Sequence, residues 1–391
     1  MAGGVALRVV HVLFVAPSTA IFTDGFFFHW VAHFVADGPG YVNPAEQLFK
    51  GHTIATAGHP PLYTLVLAAA DRLGIAGDEA QRSLGCLFGA GTIACVGVLG
   101  RRVRGDAVGL VAAAFAALNP LLIAADGALM SETLYGLLIA LALIAAYGVR
   151  DEPGWRRAAL LGLAVGLCAL TRAEALLLLP LVVLPACWRR WRLAGVAVAV
   201  AAVAIAPWTV RNWTTFDRPV LISTNDGLTV AGSNCSATYH GRDLGSFRTG
   251  CISRVRFPSN EARQADAYRS EGASYAGDHL GRVPAVVAVR VLRLWGLYQP
   301  TRLSYDAQNR SRTMQVAGVL ASYVLIPLAL FGVVLLRRAR EPLFILAAPI
   351  VLVTLTAALT YGGLRLRHAA EIPLAVMAAV GTVRLWERAR A

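Results

Sequence analysis

Stretches of apolar residues recur along this chain, separated by short polar segments that are rich in arginine. About ten of them approach the length of about 20 residues that a helix needs to cross a membrane. The predicted spans lie near residues 5–22, 83–100, 107–125, 129–148, 157–171, 174–187, 193–210, 313–336, 342–360 and 369–386. This pattern predicts an all-α polytopic membrane protein.

The arginines indicate how the spans are oriented. They cluster between spans, at residues 101–104, 150–157, 189–192, 337–340 and 384–390. Cytoplasmic loops of membrane proteins collect Arg and Lys, and placing these clusters inside together with Arg8 makes successive crossings alternate. Both termini are then predicted to be cytoplasmic, in a multi-pass protein of the plasma (inner) membrane.

One further apolar stretch, Pro61–Ala76, is predicted to be an interfacial helix on the outer side. It is short for a span and ends in Asp71-Arg72, and counting it as a span would invert every later crossing. The first span is expected to be retained, because no small-residue cleavage site follows it.

Two long segments are then left outside the membrane, and they divide the chain. Residues 1–210 form an N-terminal transmembrane core that carries the first outer loop, residues 23–82. Residues 211–312 form a polar outer region, and residues 313–391 supply the C-terminal transmembrane helices.

Composition excludes an ordinary soluble protein. The 391 residues are 57% hydrophobic and 15% charged, whereas soluble domains have about 45–50% apolar and about 25% charged residues. The net charge of +13, from 36 Lys+Arg and 23 Asp+Glu, would point to nucleic acid in a soluble protein. Here the cytoplasmic arginines account for most of it, so we expect no nucleic-acid partner.

The first outer loop contains two candidates for chemistry. Asp24 follows the first span directly, where partial desolvation would make a carboxylate more basic. His59 precedes Pro60-Pro61, which can begin the interfacial helix, and a helix start favours anions. The alternatives are an ordinary acid at a membrane boundary and an incidental histidine.

Charged residues also lie at the outer ends of later spans. Asp126 and Glu132 flank the turn between two spans, and Arg172 and Glu174 separate two short apolar segments. An acid at or below the membrane surface is a functional candidate by default. Alternatively, Ser131 and Glu132 begin a helix in the usual way, and Arg172 and Glu174 neutralise each other.

The turn before the last span carries two arginines and a histidine on the side where arginine is otherwise scarce. Its candidates are Arg365, Arg367, His368 and Glu371. Arginine grips phosphate through a fork of donors, so a phosphate group at the interface is the expected ligand. Lipid headgroup binding without catalysis is the alternative.

The cysteines offer no zinc site, because no Cys/His spacing fits one. Cys235 and Cys251 both lie in the outer region, where a disulfide is expected and would add about 3 kcal/mol by restricting the unfolded chain. No phosphate-binding loop for ATP is visible. Nothing in the sequence demands a cofactor, and the pair Asp24 and Glu132 leaves room for a divalent metal.

In this order, the motifs resemble those of the membrane-embedded GT-C glycosyltransferases, in the branch of protein O-mannosyltransferases, lipid A aminoarabinose transferases and Rgt-type galacturonosyltransferases. The matching segments are Asp24, His59-Pro60-Pro61-Leu62-Tyr63, Ser131-Glu132-Thr133-Leu134, Leu170-Thr171-Arg172-Ala173-Glu174 and the basic turn before the last span. The resemblance covers most of residues 1–210 and 340–391. It implies a GT-C type fold with interfacial helices and an outer loop region.

The resemblance also implies a function. Such enzymes move a sugar from a polyprenyl-phosphate carrier to a glycan, lipid or protein acceptor on the outer face. Asp24 matches the acid that acts as base on the acceptor hydroxyl, Glu132 matches the second acid, and His59, Arg365 and Arg367 match residues near the lipid phosphate. Gly25 stands where the mannosyltransferases have glutamate, which argues against protein mannosylation.

Chemistry from the residues agrees with this assignment. A polyprenyl phosphate is a good leaving group, so the needs are a carboxylate to take the hydroxyl proton and cations to hold the phosphate. One acid with cationic support suits a single displacement with inversion. The sequence thus predicts a hexosyl- or pentosyltransferase; the alternative is a transporter or flippase that moves a lipid-linked saccharide.

Overall fold

The computed structural model describes residues 2–252, 260–300 and 308–390, and within them the chain is helical apart from one β-bridge between Val42 and Ala55. The α-helices of the N-terminal part are α1 Ala2–Phe14, α2 Asp24–Asp37, α3 Pro44–Lys50, α4 Pro61–Arg72, α5 Asp78–Arg104, α6 Asp106–Leu118, α7 Pro120–Asp126, α8 Glu132–Asp151, α9 Trp155–Thr171, α10 Leu184–Ala186 and α11 Trp191–Thr215.

The rest of the described chain continues the helical pattern. Its α-helices are α12 Asn225–Ser233, α13 Ser236–Tyr239, α14 Glu261–Asp278, α15 Val283–Leu294, α16 Arg312–Arg338, α17 Leu343–Leu359 and α18 His368–Arg390. Four 3-10 helices occur at Ala173–Leu177, Gly241–Asp243, Thr249–Cys251 and Leu364–Arg367, and Leu179–Val183 is a π-helix.

Fewer helices than expected are long enough to span a membrane. Among the described residues, five helices are long and apolar enough to cross a membrane. They are α5, α8, α11, α16 and the last helix with the turn before it, Leu364–Arg390. Helices α6 and α7 meet at an angle of 58° and would make a sixth span together. The chain is therefore a multi-pass membrane protein, and the predicted count of about ten spans of about 20 residues is not confirmed.

The shortfall has a physical cause at two of the short segments. Helix α1 ends at Phe14 instead of continuing to residue 22, and its 13 residues rise about 20 Å, less than the thickness of a hydrocarbon core. Pro180 and Pro185 interrupt the segment after α9, because proline has no backbone donor. That segment folds as short 3-10, π and α pieces instead of one span.

Helix α18 is the central helix of the bundle. In its apolar window 78% of the residues are buried, against 28% in α11 and in α16. Helix α16 packs closely along α18, since a Cβ atom on Gly332 would lie only 1.9 Å from the carbonyl oxygen of Met377. The turn that carries Arg365 therefore sits directly on the best-packed helix of the protein.

The predicted interfacial helix corresponds to α4, which ends at Arg72 and packs on α2. Arg72 donates to the carbonyl oxygen of Ala36 at 2.8 Å and fixes this pair. Helix α4 is too short to count as a span. Both helices belong to the first outer loop and carry its candidate residues at their N-terminal ends.

The outer region packs over these helices. Cys235 and Cys251 form a disulfide beside α12 and α13, and α14 packs along α12. On α15, Arg290 is 4% exposed and donates to the carbonyl oxygen of Ser233 at 2.6 Å. These contacts make α12 to α15 a compact cap of helices next to the candidate site.

Candidate active site

A cavity of about 250 Å³ brings together candidate residues from segments that are far apart in the sequence. It lies between the start of α2, the loop before α4, the start of α8, the turn after α9 and the turn before α18. Its lining includes Asp24, His59, Arg172, Glu174 and Arg365.

Asp24 is the first residue of α2. The side chain of Thr23 caps the helix by accepting a hydrogen bond from the backbone of Phe26 at 3.4 Å, which fixes where the helix begins. A carboxylate in the first turn is also favoured by the helix dipole. Its two oxygens meet different partners: Oδ2 accepts from Nη1 of Arg365 at 2.8 Å, and Oδ1 lies 3.7 Å from Nε2 of His59.

His59 stands two residues before α4, whose first turn begins with Pro61. Its ring packs between Phe27 and Phe28, with ring centroids 4.7 and 4.9 Å away. Burial lowers the pKa of His59, and the nearby Arg365 lowers it further, against the opposing effect of Asp24. The ring is therefore neutral near neutral pH and can exchange hydrogen bonds with a ligand.

Arg365 connects the two candidate acids. Its Nε donates to the hydroxyl of Tyr361 at 3.0 Å and lies 3.9 Å from Oε1 of Glu132, while Nη1 holds Asp24. The turn before it is fixed by the backbone of Gly362, which donates to the carbonyl oxygen of Gly245 at 2.8 Å. The cap of helices thus positions the arginine through the backbone.

Glu132 is surrounded by arginines from three parts of the chain. Its carboxylate is 1% exposed and accepts from Nη1 of Arg172 at 2.9 Å, while Nη2 of Arg310 lies 3.5 Å away. Arg172 also donates to Glu174 at 2.5 Å. The expected Arg172–Glu174 pair is therefore present but belongs to a larger network, and Ser131 makes no side-chain capping bond at the start of α8.

The electrostatic balance at Asp24 favours the ionised carboxylate. Burial raises the pKa of Asp24, but the charge of Arg365 and the hydrogen bond that it donates lower it, so the pKa lies below the ordinary value of 3.8. Such a group is charged at neutral pH and accepts a hydrogen bond from Arg365 at 2.8 Å.

The structure does not bring Arg367 and Glu371 to this cavity. They form an ion pair of 2.5 Å between the 3-10 turn Leu364–Arg367 and the first turn of α18, with side chains 0% and 1% exposed. Asn119 donates to the other carboxylate oxygen of Glu371 at 2.7 Å. Binding of a donor phosphate by Arg367 therefore stays a prediction, and in this structure the Nε of Arg367 is paired with an internal carboxylate.

His368 and Asp126 are also placed elsewhere. The ring of His368 lies against Gly136 of α8, and it lines a separate small cavity with Arg310 and Arg365. Asp126 accepts from Nε of Arg8 at 2.6 Å and is 2% exposed. Both residues sit at contacts between helices, where small neighbours such as Gly136 leave room for them.

A glutamate that the sequence does not single out joins the outer region to the first outer loop. Glu261 begins α14 and accepts from the hydroxyl of Thr56 at 2.6 Å, the backbone of Ala57 at 2.8 Å and the hydroxyl of Thr224 at 2.6 Å. Its only sequence signal is Asn260, which caps the helix. Arg310 is likewise visible in the sequence only as one of two arginines, with Arg312, just before a span.

Replacing Glu261 with glutamine should loosen this connection. One carboxylate oxygen becomes an amide donor facing other donors, so the free energy of unfolding should fall by about 1–3 kcal/mol. A lower melting temperature in detergent would measure the effect. Glu271→Gln, on the same helix, is the matched control, and an equal loss in both variants would contradict the assignment.

The residues around the acids do not form a recognisable metal site. Within residues 2–252, 260–300 and 308–390, no three His, Cys, Asp or Glu side chains are grouped so that they could hold a metal ion. The positive charge between Asp24 and Glu132 comes instead from Arg365, which approaches both.

Residues 58–211, less than half of the chain, match the family model described as dolichyl-phosphate-mannose-protein mannosyltransferase. No curated protein matches the chain in sequence. The matched range contains His59, Glu132 and Arg172 but neither Asp24 nor Arg365.

Solved structures match over nearly the whole chain. The oligosaccharyltransferase AglB from Archaeoglobus fulgidus, in complex with an inhibitory peptide and a dolichol-phosphate, is 14% identical, with a TM-score of 0.58 over 98% of this chain and 50% of that one. The Archaeoglobus fulgidus oligosaccharyltransferase in complex with Zn and sulfate gives 14% identity and a TM-score of 0.59, over 98% and 49%. The chain spans about half the length of these proteins.

ArnT from Cupriavidus metallidurans bound to undecaprenyl phosphate also aligns, with 14% identity over 100% of this chain and 78% of that one, but its TM-score is only 0.43. The fold is therefore assigned from the two archaeal structures, whose TM-scores are 0.58 and 0.59. The GT-C type fold that the sequence predicts is confirmed.

Proposed function

We propose that this chain, a member of the GT-C superfamily by its fold, is a glycosyltransferase that moves a sugar from a polyprenyl-phosphate donor to an acceptor on the outer face of the membrane. The observation that carries the proposal is the contact between Asp24 and Arg365 in a cavity beside His59. In this proposal Asp24 is the base for the acceptor hydroxyl and Arg365 is the cation for the donor phosphate.

The proposed step is a single displacement with inversion. The acceptor hydroxyl oxygen forms a bond to the anomeric carbon as the bond from that carbon to the phosphate oxygen breaks. The electron pair leaves with the polyprenyl phosphate, and the hydroxyl proton passes to Asp24. Oδ1 of Asp24 is the oxygen suited to take this proton, since Oδ2 is held by Arg365.

Arg365 is proposed to change partners when the donor binds. Its guanidinium can grip a phosphate with two parallel hydrogen bonds, and in doing so it would leave Asp24. Because Arg365 holds the pKa of Asp24 down, its departure would raise that pKa and make the carboxylate a better base. Donor binding would thus prepare the base for the acceptor.

Glu132 is proposed to organise the arginines. Its carboxylate is 1% exposed, so it does not reach an acceptor, but it contacts Arg172 and lies near Arg310 and Arg365. We therefore reassign it from a second catalytic acid to a residue that holds the phosphate-binding cations. The polar side chains of Ser223, Asn225 and Asp226, which line the same cavity, are suited to contact sugar hydroxyls.

The proposed location follows from the same arrangement. The site lies at the ends of α8 and α18 opposite the arginine-rich ends near Arg150 and Arg388. Because cytoplasmic ends collect arginine, the site would face outward in the inner membrane, with both termini in the cytoplasm. The acceptor would be a glycan, lipid or protein of the cell envelope.

A transfer assay tests the proposal. The full chain is reconstituted in liposomes and supplied with polyprenyl phosphate carrying a radiolabelled sugar, together with envelope extract as acceptor. We expect label in a new product, release of polyprenyl phosphate and an inverted anomeric centre. The alternative, a flippase, predicts movement of the intact donor between leaflets with no released polyprenyl phosphate; that outcome would contradict the proposal.

The pH profile gives an independent check on the base. A base works when deprotonated, so activity is present above its pKa and falls as the pH drops through it. Because the pKa values of Asp24 and His59 both lie below their ordinary values, kcat/KM should be nearly constant from about pH 5 to about pH 8. A loss of activity centred near pH 6.5 would contradict the assignment.

A further inference from the structure

A second cavity lies at the far end of the helix bundle from the candidate active site. It has a volume of about 440 Å³ and opens between the C-terminal ends of α5, α16 and α18 and the start of α6. From His368 to Arg388, α18 rises about 30 Å, about the thickness of a hydrocarbon core. The two cavities therefore belong to opposite membrane faces.

Arginine dominates the lining of this second cavity. Arg104, Arg338, Arg384 and Arg388 line it together with a single acid, Glu387, which accepts from Arg384 at 3.1 Å. Each of the three helix C-termini contributes about half a negative elementary charge. Together with Glu387 these charges do not balance four guanidinium groups, so the cavity keeps a net positive charge.

Other arginines at the same end of the bundle meet acids. Arg101 contacts Asp106 at 2.7 Å, and Arg102 forms an ion pair with Asp151. Among the described residues, no carboxylate pairs in this way with Arg104, Arg338 or Arg388. Three of the four arginines of the cavity are thus available to an anion from outside the protein.

The walls behind these arginines are apolar. Val108, Leu335, Val380 and Val383 line the cavity, and the side chain of Trp386 is 53% exposed one turn beyond Val383. Exposed tryptophan is typical of the boundary between hydrocarbon and headgroups. An occupant should therefore combine an anionic group with an apolar part and lie at that boundary.

We propose that this cavity binds the headgroup of an anionic phospholipid from the adjacent leaflet. The arginine forks would hold the phosphate, as they do for other phosphate groups, and the apolar walls would contact the glycerol and the first carbons of the acyl chains. Basic pockets between transmembrane helices bind anionic headgroups in this way. The inference does not depend on the proposed transferase function.

Native mass spectrometry of the full chain in detergent tests the proposal, with dioleoyl phosphatidylglycerol and dioleoyl phosphatidylcholine as probes of equal acyl composition. We expect the wild-type protein to retain phosphatidylglycerol preferentially. Since each arginine near a headgroup contributes about fivefold in affinity, or about 1 kcal/mol, the double variant Arg338→Gln/Arg388→Gln should bind it about 25-fold more weakly.

The matched control is Arg337→Gln/Arg340→Gln, which removes the same charge at the C-terminal end of α16 and just beyond it, from residues that do not line the cavity. This control should retain most of the phosphatidylglycerol binding. The single variant Arg388→Gln, with an expected loss of about fivefold, provides a second measurement if the double variant folds poorly.

Three outcomes would overturn the proposal. One is equal binding of the two lipids by the wild-type protein, and another is an equal loss in the control and in the cavity variant. The third is displacement of phosphatidylglycerol by millimolar inorganic phosphate, which would indicate a site for a free anion that does not use the apolar walls.

Discussion

Replacing Asp24 with asparagine is expected to reduce sugar transfer by about 10²- to 10⁴-fold, the usual contribution of a positioned general base. The amide has nearly the shape of the carboxylate but cannot take the hydroxyl proton. The defect should lie in kcat, measured with the radiolabelled donor in liposomes. Donor affinity should be unchanged or higher, because Arg365 loses the carboxylate that it contacts at 2.8 Å.

Asp37→Asn is the matched control for this variant. Asp37 is exposed at the opposite end of the same helix, α2, and does not line the cavity. Both variants should keep the melting temperature of the wild-type protein. Full transfer activity in Asp24→Asn would remove the base from the proposed mechanism, whereas equal losses in the two variants would point to damage of α2 itself.

The N-terminal candidates could be predicted because local sequence determines their positions. Thr23 caps α2 and Pro61 begins α4, so Asp24 and His59 must lie at helix starts on the same side of the membrane. That both contact one cavity with Arg365 depends on tertiary packing. The ordered set of motifs in the family resemblance, and not their spacing, pointed to that arrangement.

The basic turn could be predicted as a whole but not residue by residue. In a helical turn, residues two positions apart do not share a face, so Arg365 and Arg367 necessarily point in different directions. Hydropathy gives no information on which of them meets the cavity. Partners far along the chain decide which arginine faces the cavity. Arg365 contacts Asp24, whereas Arg367 pairs with Glu371, which also accepts a hydrogen bond from Asn119.

Hydropathy alone overestimates the lengths of the spans for a similar reason. Hydropathy indicates where residues are apolar but not where a helix is interrupted. Asn119-Pro120 bends the segment after α6 because the side chain of Asn119 caps a new helix, α7. Asp126 is carried by that bend into contact with Arg8, which explains why an acid that looked like a site residue is instead buried between helices.

Arg365→Gln and Arg367→Gln are therefore expected to fail in different ways, although the two positions are two residues apart. Loss of Arg365 should lower transfer by about 10²- to 10³-fold, as removal of a preorganised hydrogen-bond donor does in other enzymes. Because Arg365 lowers the pKa of Asp24, the acid limb of the pH profile should also move to higher pH. The fold should persist, since the guanidinium faces the cavity.

Loss of Arg367 should instead destabilise the protein. Its partner Glu371 would be left buried and charged inside α18, and breaking a buried pair in this way costs about 3–5 kcal/mol. Melting temperature and transfer rate measured on both variants separate the two roles. The opposite result would be a less stable Arg365→Gln variant and an Arg367→Gln variant that is stable but inactive. It would require Arg367 to be reassigned as the phosphate-binding arginine, because only a residue that faces the cavity can lose transfer activity without losing stability.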